Sequence, residues 1–253
     1  MKIAAVCCTY LRPVQLGQLI HCFLRQDYPA ELRELVILDD AGQYKSQQGD
    51  GWRLVSTPHR FPTLGQKRNA AAALVSDDVD ALAVWDDDDV YLPWALHASA
   101  AALRRAAWSR PSVVLHPNRD GTLRQHATGG LFHGGWAYRR TAFDAVGGYP
   151  PEMNNGEDQG FAARLRAAGT NETDPIRLGF KPFYVYRWGN AGCRSAAGWH
   201  LSGLGPAGYE KLGIRARRKA FPSSAPLTIQ IAPPPDVALA QPMILPGVHP
   251  RVF

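Results

Sequence analysis

The chain has 253 residues, of which 45% are hydrophobic and 20% are charged. This composition excludes disordered and fibrous proteins, and the length favours one domain with an appendage over two full domains. The formal net charge of +6 suits a polyanionic partner such as a nucleotide, a nucleic acid or a membrane surface, and it does not choose among them.

The apolar run at the N-terminus is too short for a signal peptide, and no stretch is long enough to cross a bilayer. We therefore expect a cytoplasmic protein, which could also bind the inner face of the membrane peripherally. The four cysteines are not spaced as metal ligands, and Cys7 and Cys8 are adjacent on a predicted core strand. Reduced thiols are therefore expected.

Hydrophobic runs and helical periodicities alternate along the first part of the chain. Strands are predicted at residues 2–8, 34–38, 52–56 and 81–84, and helices at residues 13–24, 64–75 and 93–110. This alternation predicts an α/β fold with a mostly parallel sheet that helices cover on both faces.

The second part of the chain is more varied. The pattern predicts strands at 112–116 and 183–188, a hairpin turn at 118–122, and helices at 141–146 and 157–168. Residues 129–140 mix glycine with aromatic residues. A basic patch at 211–219 precedes a proline-rich tail at 222–253, which contains one strand-like piece at 227–231. The tail is predicted to be an arm packed on the domain or on a partner subunit, or else a disordered segment.

Four consecutive carboxylates, Asp86 to Asp89, follow the predicted strand at residues 81–84. Like charges beside a buried strand repel one another unless a cation or hydrogen-bond donors lie among them. Carboxylate oxygens suit Mg2+ or Mn2+, and ligands collect at the carboxyl ends of parallel strands. An EF-hand is excluded, because the sixth and twelfth positions counted from Asp86 hold Tyr91 and His97. An acidic turn that caps the following helix is the plainer alternative.

Two further acidic pairs, Asp39-Asp40 and Glu157-Asp158, also stand at the ends of apolar elements, and three such clusters suggest a shared site. Their context resembles the family 2 glycosyltransferases of the GT-A fold, which use nucleotide-diphospho-sugar donors. The resemblance rests on these motifs: Thr9-Tyr10 with Arg12-Pro13, Leu38-Asp39-Asp40, residues 65–69, the Asp-x-Asp element within residues 85–93, Gly147-Gly148-Tyr149, and Gly156-Glu157-Asp158.

The resemblance covers roughly residues 1–205 and implies a GT-A domain, Rossmann-like in its sheet, over that range. Residues 206–253 are expected to form a basic and proline-rich C-terminal extension, through which the chain could form a homo-oligomer.

The resemblance also implies a donor site. Thr9 and Tyr10 would hold the nucleotide base, with the Tyr10 ring packed on the base face. Asp39 would accept a hydrogen bond from a ring N–H, which favours uracil and hence a UDP-sugar. Three cations are assigned to the nucleotide in the same way: Arg12, Lys67 and Arg68.

A divalent metal, Mn2+ or Mg2+, is the cofactor that the resemblance implies. Asp86 and Asp88 match the Asp-x-Asp pair, with Asp88 assigned to the metal and Asp86 to the metal or the ribose hydroxyls. The neighbouring Asp87 and Asp89 leave this register open by one position. His200 resembles a histidine that reaches the metal or the diphosphate in some relatives, and an imidazole ligand suits Mn2+ better than Mg2+.

The Glu157-Asp158 pair resembles the family's catalytic element. Asp158 would deprotonate the acceptor hydroxyl, and direct displacement by a single base inverts the anomeric configuration. Glu157 would make acceptor or supporting contacts. Capping of the following helix is the structural alternative for both residues. Three tryptophans could stack on a sugar or simply pack in the core: Trp136, Trp188 and Trp199.

The acceptor stays open between a glycan, a lipid-linked sugar and a nucleic acid such as a hydroxylated DNA base. The basic patch at 211–219 is consistent with DNA and with an anionic membrane surface. A catalytically silent binding module has no need of a base such as Asp158. A sugar nucleotidyltransferase would need a glycine-rich loop after the first strand, and residues 9–13 contain no glycine.

Overall fold

The structure is a computed structural model that describes residues 1–118, 122–187 and 227–234. The strands are β1 (Ile3–Thr9), β2 (Arg33–Asp39), β3 (Gln47–Gly49), β4 (Trp52–Ser56), β5 (Ala81–Val84), β6 (Val90–Tyr91), β7 (Trp108–Ser109), β8 (Val113–Pro117), β9 (Leu123–Ala127), β10 (Ala137–Arg139), β11 (Glu172–Thr173) and β12 (Tyr184–Val185). The helices are α1 (Pro13–Leu24), α2 (Leu64–Ala73), α3 (Ala95–Leu103), α4 (Arg140–Ala145) and α5 (Glu157–Ala167).

The larger sheet has the strand order β11-β7-β10-β5-β1-β2-β4-β3. Its centre is parallel, since β1 pairs with β2 and β5, and β2 pairs with β4. Its flanks are mixed, because β10 runs antiparallel to β5 and β3 runs antiparallel to β4. The central strands therefore end at one edge of the sheet, where Thr9 lies beside Asp39.

A smaller sheet, with the order β6-β12-β8-β9, adjoins this edge. The chain passes from β5 in the larger sheet to β6 in the smaller sheet through residues 85–89. The four consecutive aspartates thus occupy the crossing between the two sheets. This placement puts them at the carboxyl end of a central strand, as the sequence predicted.

The strands of the parallel centre form because both of their faces are buried. Along β1, Ile3 and Ala5 face one hydrophobic cluster, whereas Ala4 and Val6 face the other. The first cluster includes the buried faces of α1 and α3, and the second those of α2 and α5. An apolar strand between two helical layers is the arrangement expected for a central parallel strand.

Local sequence signals account for the starts of the site-bearing helices. Pro13 opens α1, where its missing N–H is not needed. The Thr63 side chain accepts a hydrogen bond from Gln66 N at the start of α2. Gly156 precedes α5 with a φ of 72°, a left-handed conformation that glycine adopts without steric strain.

Several sequence predictions differ from the structure in detail. The helix expected at Pro93 begins at Ala95, because the Pro93 carbonyl accepts a hydrogen bond from Asp27 N across the fold. Strand β3 was not predicted, since its three residues lack an apolar alternation. β8 and β9 pair antiparallel, as a hairpin requires, and residues 119–121 of the predicted turn lie outside the described residues.

The strand-like piece of the tail packs on the domain. Leu227 forms a single parallel bridge with Tyr44, and Ile229 is buried against the first hydrophobic cluster. The other features predicted for the C-terminal region, which include His200 and the basic patch at 211–219, lie outside the described residues. In the part of the chain that the structure describes, no helix is long and apolar enough to span a membrane.

Candidate active site

A cavity of about 610 Å³ opens at the carboxyl edge of the parallel strands, within the size range typical of small-molecule sites. It is lined by the loop after β1, the start of α2, the aspartate crossing, the loop before β10, the start of α5 and the strand β12 region. Among the predicted site residues, these line it: Thr9, Tyr10, Arg12, Lys67, Arg68, Asp86, Asp88, Glu157 and Asp158.

The four aspartates alternate in exposure along the crossing. The side chains of Asp86 and Asp88 are 30% and 13% exposed, whereas Asp87 and Asp89 are buried. The segment is a turn in which the Asp89 N–H donates a hydrogen bond of 3.4 Å to the Asp86 carbonyl. All four aspartates line the cavity, and Asp86 and Asp88 are the more exposed pair. The register assigned to the Asp-x-Asp element stays a prediction.

The two inward aspartates are held by donors from distant parts of the chain. Asp87 accepts hydrogen bonds from Thr9 Oγ1 and Arg12 Nη1, both at 2.7 Å. Asp89 accepts from Tyr184 Oη at 2.5 Å and from the backbone N–H of Arg187 at 2.8 Å. These bonds orient the crossing and hold the carboxylates of Asp87 and Asp89 in buried positions.

Asp88 is partly buried and lies close to other carboxylates. Burial, followed by the charge of Asp87, raises the pKa of Asp88 to about 7. Arg12 Nη1 lies 2.6 Å from Asp88 Oδ2 and opposes that shift. Where burial and nearby carboxylates favour the neutral form of a carboxyl group, a bound cation would stabilise its charged form.

The donor set of this segment fits a hard divalent cation. Mg2+ commonly binds through one or two carboxylates together with substrate phosphates, and Asp86 and Asp88 supply such a pair. In the part of the chain that the structure describes, no group of three His, Cys, Asp or Glu side chains forms a complete metal cage. The pair of carboxylates fits a metal that takes its other ligands from a bound phosphate or from water.

Arg68 connects the aspartate crossing to the start of α5. Its Nη2 lies 3.4 Å from Asp86 Oδ1 and its Nε lies 3.0 Å from Glu157 Oε1. Glu157 is 5% exposed, and burial raises the pKa of its carboxyl while Arg68 opposes the shift. Glu157 thus supports the site through an ion pair.

Asp158 follows Glu157 in the first turn of α5 and is partly exposed to the cavity. Its Oδ2 accepts a hydrogen bond of 3.2 Å from the side-chain amide of Gln159. The N-terminus of a helix stabilises a carboxylate placed in its first turn. The Asp158 carboxylate is therefore oriented by a protein donor and accessible from the cavity.

Lys67 joins the ends of β1 and β2 beneath the cavity. Its Nζ lies 2.5 Å from Asp40 Oδ1 and donates to the Thr9 carbonyl at 2.6 Å. Both side chains of the ion pair are at most 2% exposed. Lys67 lines the cavity wall, but its ammonium group serves mainly to tie the two strand ends together.

Asp39 lies deeper than the other predicted site residues. It is fully buried, and its carboxylate accepts hydrogen bonds from Ser56 Oγ at 2.7 Å and Ala41 N at 3.1 Å. It is not among the residues that line the cavity. Its contact with a nucleotide base stays a prediction, as does that of Tyr10, whose ring lies 4.2 Å from the Arg60 guanidinium carbon.

Comparison with solved structures identifies the fold. The structure of S. aureus TarS residues 1–349 in complex with UDP matches with a TM-score of 0.59 and 18% identity, over 74% of this chain and 61% of that chain. The TarS complex with UDP-GlcNAc matches with a TM-score of 0.57 and 16% identity, over 76% and 60%. The mannosyltransferase PcManGT from Pyrobaculum calidifontis, in complex with GDP-Man and Mn2+, matches with a TM-score of 0.56 and 15% identity, over 79% and 59%.

This chain has the GT-A glycosyltransferase fold. It spans about 60% of the length of the solved structures that it matches. No family model and no curated protein matches the sequence. The fold predicted from the motifs is therefore confirmed by structural similarity.

Several residues of this GT-A cavity were not predicted from the sequence. They are Leu131, Phe132, His133, Asn155, Gln159, Tyr184 and Tyr186. The signal for the first three was the stretch of mixed glycine and aromatic residues at 129–140. Trp136, considered as a sugar-stacking residue, is 1% exposed and packs in the core instead. Trp188 and Trp199 lie outside the described residues.

His133 occupies the wall of the cavity between the two halves of the site. It is 8% exposed, and its Nε2 lies 3.1 Å from the Tyr149 hydroxyl. Burial, followed by the positive charge of Arg68, lowers the pKa of His133 well below its usual value. The imidazole is therefore neutral at pH 7.

Proposed function

We propose that this protein is an inverting, metal-dependent glycosyltransferase that moves a sugar from a UDP-linked donor to an acceptor hydroxyl. The observation that carries the proposal is the convergence of two different carboxylate sites in one cavity. Asp86 and Asp88 provide oxygen ligands on one side, and Asp158 provides a base at a helix N-terminus on the other.

The metal function rests on the alternation in the aspartate crossing. Asp86 and Asp88 are the more exposed of the four aspartates, at 30% and 13%, and each is paired with an arginine, whereas Asp87 and Asp89 are buried among protein donors. A divalent cation held by this pair would neutralise the diphosphate of the donor as it leaves. The matched mannosyltransferase structure is a complex with GDP-Man and Mn2+, which supports this cofactor class.

The chemical step is a single displacement at the anomeric carbon. Asp158 takes the proton of the acceptor hydroxyl, whose oxygen forms a bond to the anomeric carbon. The bond from that carbon to the diphosphate oxygen breaks, and the nucleoside diphosphate leaves with the electron pair. One displacement without a covalent intermediate inverts the configuration.

The cations of the cavity suit a diphosphate donor. Arg12 and Arg68 are held next to the aspartate crossing by ion pairs with Asp88 and Asp86, respectively. They keep positive charge at the place where the charge of the leaving group develops. The matched structures contain UDP, UDP-GlcNAc and GDP-Man, which supports a nucleoside-diphosphate sugar as the donor, and the choice of UDP rests on the contact predicted for Asp39.

Calorimetric titration of UDP into the whole chain tests this proposal. We expect binding that requires Mn2+, is abolished by EDTA, and is stronger for UDP than for GDP. Asp88→Asn removes a charged ligand and should weaken the binding of UDP with Mn2+ by at least about tenfold. The matched control is Asp77→Asn, an exposed aspartate outside the cavity, which should leave the affinity unchanged.

The proposal is wrong if no nucleoside diphosphate binds with any metal. It is also wrong if Asp88→Asn and Asp77→Asn bind UDP equally well, because the aspartate crossing would then be an acidic turn. Where binding is found, transfer or hydrolysis of UDP-sugars by the wild-type chain and by Asp158→Asn completes the test.

A further inference from the structure

An aromatic surface adjoins the cavity on the side of the smaller sheet. It consists of His116 on β8, His126 on β9, Phe132 on the following loop and Tyr186 after β12. The ring centroids of Phe132 and Tyr186 are 4.7 Å apart, and His116 lies 5.3 Å from Tyr186. Phe132 and Tyr186 also line the cavity, so the surface and the cavity are continuous.

All four rings of this aromatic surface keep some exposure to solvent. Phe132, Tyr186 and His116 are partly exposed, and His126 is exposed. The neighbouring Leu131 is 69% exposed, an unusual position for a large apolar side chain. Exposed apolar groups that rim a polar cavity commonly mark a binding surface.

The loop that carries Phe132 is held rigidly and is tied to the proposed base. Gly130 adopts a φ of 78°, and its carbonyl accepts hydrogen bonds from Arg110 Nη1 and Gln159 Nε2, both at 3.1 Å. The same Gln159 amide donates to Asp158 at 3.2 Å. One side chain therefore fixes the distance between the aromatic surface and the carboxylate that would activate an acceptor.

The charge around this aromatic surface separates two acceptor classes. Burial, followed by the charges of His126 and Arg124, lowers the pKa of His116. Arg124 lies opposite His116 across the two strands. Among the residues that the structure describes, six carboxylates and three cations line the cavity, the carboxylates being Asp86 to Asp89, Glu157 and Asp158 and the cations Arg12, Lys67 and Arg68.

We propose that this aromatic surface is the acceptor subsite and that it binds an uncharged sugar ring of a glycan acceptor, packed in the corner formed by the Phe132 and Tyr186 rings, whose planes lie 82° apart. A sugar ring presents apolar C–H groups on its face, which suit an aromatic ring, and it brings no charge toward the excess of carboxylates. A nucleic acid can also stack on aromatic rings, but it requires a positively charged groove along its backbone. The inference rests on the proposed glycosyl transfer, because it places the acceptor hydroxyl near Asp158.

A glycan array tests the proposal with the whole chain in the presence of UDP and Mg2+. The probes are neutral oligosaccharides, anionic oligosaccharides and a single-stranded oligothymidylate. We expect capture of neutral oligosaccharides. Phe132→Leu keeps an apolar side chain but removes the ring face, and it should weaken this capture by about tenfold. Phe132→Tyr, which restores the face, should stay within about twofold of wild type.

The matched control is Phe180→Leu, which alters a partly buried phenylalanine outside the cavity and should bind glycans as wild type does. Three results would overturn the acceptor subsite in a chain that binds UDP: no capture of neutral oligosaccharides, capture of only anionic probes, or equal capture by Phe132→Leu and Phe180→Leu. Failure of the proposed transferase function would instead appear as absent UDP binding by the wild-type chain, which is measured separately.

Discussion

Replacing Lys67 by methionine tests the ion pair that ties the ends of β1 and β2 together. Methionine preserves most of the apolar stem of lysine and removes the ammonium group. The change leaves the Asp40 carboxylate, whose side chain is fully buried, with a hydrogen bond of 3.1 Å from Phe61 N. It also removes the donor at 2.6 Å from the Thr9 carbonyl.

The expected loss is large because a buried charge loses its partner. Removing one member of a buried ion pair destabilises a protein by about 3–5 kcal/mol. With a urea dependence of about 2 kcal/mol per M, the midpoint of unfolding should fall by roughly 1.5–2.5 M. The same change at an exposed lysine, Lys45→Met, should alter the free energy of unfolding by less than about 0.5 kcal/mol.

Equilibrium unfolding in urea, followed by tryptophan fluorescence, measures both variants. The double variant Lys67→Met with Asp40→Asn removes both charges, and it should be more stable than Lys67→Met alone by at least about 1 kcal/mol. A midpoint for Lys67→Met within about 0.5 M of wild type would refute the reasoning. So would a double variant that is less stable than the single one.

Three further predictions concern the base, the buried histidine and the packed tail segment. Asp158→Asn should lower the rate of sugar transfer by about 10²–10⁴-fold while UDP still binds, and a rate near wild type would exclude Asp158 as the base. His133 is neutral in the folded state, because burial lowers its pKa. Below roughly pH 6.5 this histidine becomes protonated in the unfolded chain, so the free energy of unfolding of wild type, relative to that of His133→Gln, should fall by up to about 1.4 kcal/mol per pH unit. Parallel stability curves for the two proteins would contradict this. In Gly17→Ala the new Cβ would lie 2.0 Å from the Gln230 carbonyl oxygen, so limited proteolysis near residues 227–234 should accelerate, and unchanged cleavage would show that this segment does not pack on α1.

The sequence predicted the parts of the site that depend on strand ends. Parallel strands deliver their carboxyl ends to one edge, so Thr9 and the aspartates after β5 had to lie close together once the alternation of elements was recognised. The motif around Glu157-Asp158 added the start of α5. These residues line the same cavity, although the chain separates them widely.

The sequence could not decide which of the four aspartates are buried and which stay more exposed. That choice depends on Thr9, which bonds to an aspartate 78 positions away, and on Arg187, whose backbone bonds to one 98 positions away. Such contacts leave no periodic signal. Asp39 was predicted correctly at the end of a strand. The sequence did not reveal that its carboxylate accepts hydrogen bonds from Ser56 and from backbone amides.

Helix α2 explains how one short motif organises the whole site. Lys67, Arg68 and Asn69 are consecutive, and consecutive helical residues project about 100° apart. Lys67 therefore reaches the ends of β1 and β2, Arg68 reaches both Asp86 and Glu157, and the Asn69 side chain bonds to the backbone N–H and carbonyl of Tyr149 at 2.8 and 2.9 Å. The planar guanidinium of Arg68 suits this position because its separate nitrogens can bind two carboxylates at once, which a lysine ammonium does less well. The relative placement of the proposed metal-binding aspartates and the proposed base is thus set by a helix that carries neither of them.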